Sequence, residues 1–260
     1  MAVIRPPIEE FRARVVAREM LLGMFIKSFD FATVELLGIR TDLDFVILDL
    51  EHSSYTYREL HACILAAKSC SLPVLVRVAG FKSEYVSQSM DAGASGVMFP
   101  RISSEEEAVD AVARTKFQNG ERGFSLSHRS AQYGALTQEQ YVEKNDSGIL
   151  RAMQIEDPEG ACDAEKIAAA AGVDLIFVGP ADLALALSLS TGGTSDLESQ
   201  IGKIAERSLL SGTAAGIFLP NAADLESYVE LGFSLFVMST DQAILAAGVN
   251  SMVANFKQYV

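Results

Sequence analysis

Asp44-Phe45-Val46-Ile47-Leu48-Asp49-Leu50-Glu51-His52 is a short apolar, β-branched run that ends in side chains able to carry charge or a proton. A run apolar at nearly every position is a strand buried on both faces, the habit of parallel sheets covered by helices. Two later segments repeat the pattern. Ala152-Met153-Gln154-Ile155 leads into Glu156, and Leu175-Ile176-Phe177-Val178 leads through Gly179, Pro180 and Ala181 into Asp182. Three buried strands therefore deliver acids to one place, with a histidine beside them.

Around these three, the 260 residues carry eight such runs: Leu21–Ile26, Phe45–Leu48, Val74–Val78, Gly96–Phe99, Ala152–Ile155, Leu175–Val178, Ala215–Leu219 and Leu235–Met238. Stretches with helical periodicity lie between them, at Tyr57–Ser69, Lys82–Asp91, Ser104–Thr115, Asp163–Ala171, Leu197–Ser211 and Ala222–Leu231, and a further helix is expected over Ala243–Val260. Gly93, Gly172 and Gly232 close three of the helices before the next strand, as left-handed C-terminal caps do. Strictly alternating strands and helices predict a parallel sheet. Eight units favour one closed (β/α)8 TIM barrel spanning residues 1–260 over an open doubly wound sheet. Neither a G-x-G-x-x-G after the first strand nor a P-loop supports a nucleotide-binding alternative.

Composition narrows the partners. The chain is 49% hydrophobic and 21% charged, which suits a globular domain with a large core. Its formal net charge of −13 argues against nucleic acid and against an anionic membrane surface, both of which call for a basic face. An anionic small molecule would need a local cation, which draws attention to Arg77. Cys63, Cys70 and Cys162 are few, odd in number and without metal-binding spacing, so they read as packing residues. Arg5, Glu9, Glu10, Arg12 and Arg14 interrupt any apolar run before Met20, and no window reaches the roughly 20 apolar residues of a spanning helix. A cytoplasmic protein is expected.

In a barrel, residues at the C-terminal ends of strands converge and carry chemistry. Asp49, Glu51, His52, Arg77, Glu156 and Asp182 all occupy such positions. Glu156 and Asp182 are hard oxygen donors on adjacent strands, suited to a divalent cation, although each could instead cap a following helix. Arg77 leaves an apolar strand, so its guanidinium would grip either a substrate carboxylate or enolate oxygen, or Asp49 or Glu51 in a structural ion pair. His52 is a natural proton carrier near neutral pH, or else a structural histidine. The longest connection, Lys116 to Ser147, is expected on the same C-terminal rim.

These residues stand in a recognisable order. Asp49-Leu50-Glu51-His52, Val76-Arg77-Val78, Asp91-Ala92-Gly93-Ala94-Ser95-Gly96-Val97-Met98, Gln154-Ile155-Glu156 and Gly179-Pro180-Ala181-Asp182-Leu183 together make the chain resemble the HpcH/HpaI aldolases, over most of residues 20–245. The resemblance implies a class II pyruvate aldolase, similar to 4-hydroxy-2-oxoheptanedioate aldolase, that cleaves 4-hydroxy-2-oxo acids into pyruvate and an aldehyde. It implies that Glu156 and Asp182 hold Mg²⁺, Mn²⁺ or Co²⁺, and that Gln154, Gly179, Pro180 and Ala181 line the substrate with Arg77, which stabilises the enolate. His52 would move the proton of the 4-hydroxyl, with Asp91 or Asp49 as its polarising partner. Asp91 precedes the fourth strand, at the far rim of its own barrel, so it would act on a neighbour's His52; otherwise it is a helix-end residue without a catalytic role. The family's hexamer, a trimer of dimers with the C-terminal helix near 243–260 exchanged, would allow the contact. Ser53-Ser54-Tyr55 and Asp157 depart from the family's habit, which bears on the aldehyde accepted. A citrate-lyase-β-like lyase acting on a coenzyme A thioester, and a non-catalytic 2-oxo-acid-binding paralogue, are the alternatives.

Overall fold

The computed structural model describes residues 3–191 and 196–259. Eight strands, β1 (Leu21–Ile26), β2 (Phe45–Asp49), β3 (Val74–Arg77), β4 (Gly96–Phe99), β5 (Leu150–Ile155), β6 (Leu175–Val178), β7 (Ala214–Leu219) and β8 (Leu235–Thr240), form a closed barrel in sequence order. Every neighbouring pair is parallel, including β8 with β1. The helices are α1 (Phe11–Val16), α2 (Phe31–Arg40), α3 (Tyr57–Ser69), α4 (Tyr85–Ala92), α5 (Glu105–Ala113), α6 (Gln138–Gly148), α7 (Pro158–Ala169), α8 (Pro180–Thr191), α9 (Leu197–Leu210), α10 (Leu225–Glu230) and α11 (Asp241–Lys257). The expected (β/α)8 barrel is the observed fold. Of the expected C-terminal helix, Val260 lies outside the described residues.

Alternation along each strand sorts side chains between two cores. Val46 and Leu48, Val74 and Val76, and Ile176 and Val178 face outward against the helices. Phe45 and Ile47, Leu75, Leu150 and Ala152, and Leu175 and Phe177 face inward and fill the barrel, while Phe11 and Val15 of α1 plug its N-terminal end. The ring of Phe11 meets that of Phe45 at 5.4 Å. Phe45 has space because residue 23 is glycine: a Cβ there would lie 2.5 Å from the Phe45 ring. The next inward positions above these layers are Asp49, Arg77, Gln154 and Gly179, since side chains repeat every second residue on one face. The site is thus the top layer of the barrel filling.

Several helix starts are set by local chemistry. Thr56 accepts from the Glu59 amide while the Glu59 carboxylate accepts from the Thr56 amide, a capping box for α3. Asp157 accepts from the Gly160 amide at 2.7 Å with Pro158 at the first helical position, so α7 begins at Pro158 rather than at Asp163 as periodicity suggested.

The connection between Lys116 and Ser147 is not on the C-terminal rim. Helix α5 intervenes between β4 and this stretch and has already carried the chain back to the N-terminal end. There Phe117 donates to Asp146, and Arg122 grips Asp91 of α4 at 2.7 Å.

Candidate active site

Asp49 and Arg77 are register partners on β2 and β3, so their inward side chains meet. The guanidinium donates twice to the carboxylate, Nε to Oδ1 at 2.9 Å and Nη2 to Oδ2 at 2.8 Å, and its face lies 4.6 Å from the Phe25 ring. Asp49 is fully buried. Burial alone would raise its pKa, yet the hydrogen bonds and charge of Arg77, with Lys27 and the Glu51 amide, outweigh it and hold the carboxyl below the usual range. The structural ion pair considered for Arg77 is therefore real. It also orients the remaining nitrogen, Nη1, which stands 3.4 Å from Glu51 Oε2.

His52 projects at the rim with its imidazole half-exposed, and Glu51 Oε2 lies 3.8 Å from its Nε2. Asp49 touches His52 only through the backbone amide, at 3.4 Å, because Arg77 occupies its oxygens. As the polarising partner of His52, Asp49 is replaced in this geometry by Glu51, the carboxylate nearest the imidazole. Asp91 lies elsewhere within the same chain. It sits on α4 between Arg122 and His128, whose Nε2 is 3.3 Å from its Oδ2.

On the opposite wall, Gln154 and Glu156 end β5. Gln154 Nε2 donates to Glu156 Oε2 at 2.5 Å, leaving Gln154 Oε1 buried without a hydrogen-bond partner among the described residues. Glu156 is only 5% exposed. Burial, then the charges of Glu51 and Asp182, push its carboxyl up to about 7 against the opposing pull of Arg77 and Arg101. Gly179 is needed here: a Cβ would stand 2.8 Å from Gln154 Nε2 and 2.9 Å from Glu156 Oε2. Asp182, in the first turn of α8, faces solvent beside them.

A buried carboxylate, Glu156, repelled by two less buried ones, with orphaned oxygens at Gln154 and Glu51 among the described residues, fits a hard divalent cation. Among the described residues no three His, Cys, Asp or Glu side chains form a cage for it. Two carboxylates with open positions is the habit of Mg²⁺-type ions, which retain water and accept substrate oxygens.

These residues open on a cavity of about 160 Å³ lined by Arg77, His52, Gln154, Gly179, Pro180, Ala181 and Asp182, and walled by Phe25, Phe177 and Phe218. The structure thus brings together all the expected residues except Asp91. Two cations were not singled out from sequence. Lys27 lies just past β1, with Nζ 3.3 Å from Asp49 Oδ2, and Arg101 lies just past β4, with Nε 3.8 Å from Glu156 Oε1. The signal for Lys27 was present, because it continues the inward row through Phe25.

The family model for HpcH/HpaI aldolase/citrate lyase matches residues 21–247. The chain belongs to the HpcH/HpaI aldolase/citrate lyase family. Membership makes it a carbon–carbon lyase. Among curated relatives, the 5-keto-4-deoxy-D-glucarate aldolase of Salmonella gallinarum is 32% identical over 251 residues, covering 96% of this chain and 97% of that protein. An HpcH/HpaI aldolase/citrate lyase family structure from Burkholderia cenocepacia superposes with a TM-score of 0.87 at 28% identity, over 96% and 99% of the two chains. The citrate lyase β subunit of M. tuberculosis, solved with oxaloacetate and magnesium, shares the fold at 17% identity and a TM-score of 0.52, over 87% and 93%.

Proposed function

We propose that this family member is a metal-dependent aldolase that cleaves, or forms, a 4-hydroxy-2-oxo acid, with pyruvate and an aldehyde as the smaller partners. The observation that carries it is the pairing of Glu156, strained by neighbouring acids, with Arg77, locked by Asp49 across the same cavity. The name of the Salmonella relative supports the substrate class. Numbered from its other end, a 5-keto-4-deoxy sugar diacid is a 2-oxo acid with a methylene at C3 and a hydroxyl at C4. An HpcH/HpaI aldolase structure from Desulfitobacterium hafniense, with a TM-score of 0.86 at 27% identity over 95% of this chain and 96% of that one, also matches more closely than the citrate lyase β subunit does. That favours the aldolase over the thioester lyase.

Glu156 and Asp182 would hold the cation, Mg²⁺, Mn²⁺ or Co²⁺, as the magnesium in the M. tuberculosis structure suggests. The cation would supply Lewis-acid polarisation of the 2-oxo group. Arg77 Nη1 faces the oxygen on which negative charge develops as the C3–C4 bond breaks, and its fixed orientation costs no reorganisation at that moment. His52, beside Glu51, takes the proton of the 4-hydroxyl as that carbon becomes the aldehyde. The three phenylalanines keep water from the enolate until it is protonated at C3 to give pyruvate.

We place the enzyme in the cytoplasm, in keeping with its three free cysteines. No helix among the described residues is long and apolar enough to cross a membrane. Self-association is part of the proposal: α11 buries none of its residues and exposes Leu245, Met252 and Phe256 at 70%, 63% and 68%. Exchange of α11 in a hexameric trimer of dimers would cover this face and could bring Asp91 to a partner's His52. Light scattering of the purified chain tests the assembly, and a monomer would sink that part.

The reaction is tested by deuterium uptake into the methyl group of pyruvate, followed by NMR with metal-stripped protein and after addition of Mn²⁺. Exchange that requires metal and is lost in Arg77→Ala is expected. Equal exchange in strong chelator would overturn the reading.

A further inference from the structure

The charges around Asp49 do not cancel one for one. Arg77 alone satisfies both oxygens of this carboxylate, and the Glu51 amide adds a third donor at 3.1 Å. Lys27 is nevertheless drawn to the same residue, with Nζ 3.3 Å from Oδ2. Its backbone is pinned for this: Asp241, at the start of α11, accepts from the Lys27 amide and from the Ser28 amide, each at 3.0 Å. The ammonium therefore stands at the cavity wall as a positive charge that its only ion-pair partner among the described residues does not need.

Its position on the wall gives it a side. Strand β1 is next to β2, which carries His52, and lies four strands from β5, which carries Glu156. The pyruvate half of a substrate belongs with Glu156, Asp182 and Arg77. The half that leaves as aldehyde belongs with His52. Beside Lys27 the wall is formed by Phe25, Phe218 and Thr240, two apolar rings and a neutral hydroxyl, so an anion placed there would find one cation and little competing water.

We propose that Lys27 is a specificity-determining residue that selects substrates whose aldehyde half bears a carboxylate, by pairing with that second negative charge. The inference rests on the aldolase reading above. Arg77, committed to Asp49 and facing Glu51, is not free to bind a second carboxylate.

The test uses the full-length, Mn²⁺-loaded protein, with pyruvate and either glyoxylate or glycolaldehyde, two-carbon aldehydes with and without a carboxylate. Lys27→Met should lower the ratio of kcat/KM for glyoxylate over glycolaldehyde by roughly ten- to a hundredfold, chiefly through the KM for glyoxylate. Lys27→Arg, which keeps the charge, should restore most of the ratio. A second measurement does not depend on aldehyde turnover: inhibition of pyruvate methyl exchange by 2-oxoglutarate against 2-oxopentanoate. The wild-type protein should prefer the diacid, and Lys27→Met should lose that preference. An unchanged ratio and an unchanged inhibitor preference, or equal losses for both members of each pair, would overturn the role given to Lys27. Absence of metal-dependent exchange in the wild-type protein would instead overturn the aldolase reading, and the inference with it.

Discussion

The two ends of strand β5 treat charge differently. At its N-terminal end, buried charge is matched. Asp174, just before β6, accepts from Arg12 Nε and Nη2 and from the Arg151 amide, and the buried Arg151 guanidinium gives all three nitrogens to Thr115, Ile149 and Asp146 oxygens. At the C-terminal end, Glu51 Oε2 and Gln154 Oε1 are buried without hydrogen-bond partners among the described residues, and Glu156 faces the charges of Glu51 and Asp182. One strand can hold both habits: β5 begins with the satisfied Arg151 and ends beside the frustrated Glu156. Matched charge holds a fold together, and unmatched charge at the rim of a barrel is held ready for a ligand.

Exchanging the two habits should break the comparison in opposite directions. Glu156→Gln keeps the size of the side chain and removes its charge, so turnover should fall by about 1,000-fold or more, equivalent to roughly 4 kcal/mol, while unfolding free energy at pH 8 stays level or rises. Steady-state kinetics and urea unfolding on the same samples decide it, and a large loss of stability would mean Glu156 belongs to the scaffold. Asp174→Ala does the reverse. It leaves Arg12 and the Arg151 amide without their acceptor and should cost roughly 3 to 5 kcal/mol by urea unfolding, with KM for the folded protein little changed.

The same contrast has a pH signature. Glu156 is raised from its usual 4.5 to about 7 in the folded protein. Below pH 4.5 it is protonated folded or unfolded and contributes no pH dependence. Between 4.5 and 7 the unfolded chain gives up a proton that the folded chain keeps, so stability falls as pH rises, by about 3 kcal/mol in all for a shift of about 2.5 pH units, and levels off above 7. Metal-stripped protein should show this slope and Glu156→Gln should not. Divalent cation should bind more tightly as pH passes 7, because the ligand must lose its proton.

Most of this architecture was legible in the sequence because buried strands write themselves in uninterrupted apolar runs. Leu21–Ile26, Gly96–Phe99 and Leu175–Val178 have the same limits in sequence and structure. Helix α8 was harder, since Ala184-Leu185-Ala186-Leu187-Ser188-Leu189 alternates like a strand and lacks a polar face. The site was legible where a motif sits at a strand end, as at Asp49, Arg77 and Glu156. Arg101 was not, because a lone cation after a strand looks like a solvated loop until the neighbouring strands are in place, and Lys27 was passed over for the same reason although it continues the inward row through Phe25. The long connection was placed at the wrong rim because counting from β4 passed over α5, whose full traverse reverses the end of the barrel on which the chain emerges.

The smallest effect tests whether the unmatched rim depends on a matched neighbour. Residues 50–56 carry Glu51 and His52 from the end of β2 to the start of α3, and that start anchors their far end together with Tyr55, whose ring stacks on that of Phe29 at 5.3 Å. Thr56 and Glu59 bond reciprocally there, at 3.3 Å from the Glu59 amide and 2.6 Å from the Thr56 amide. Thr56→Ala removes one of the two bonds and should cost about 1 kcal/mol of stability. If the cap served the helix alone, kinetics would not change. If it also fixes the segment bearing His52, kcat should fall several-fold while the methyl exchange of pyruvate, which needs no 4-hydroxyl proton, holds. A small misplacement of a proton carrier is felt in the step it serves and nowhere else.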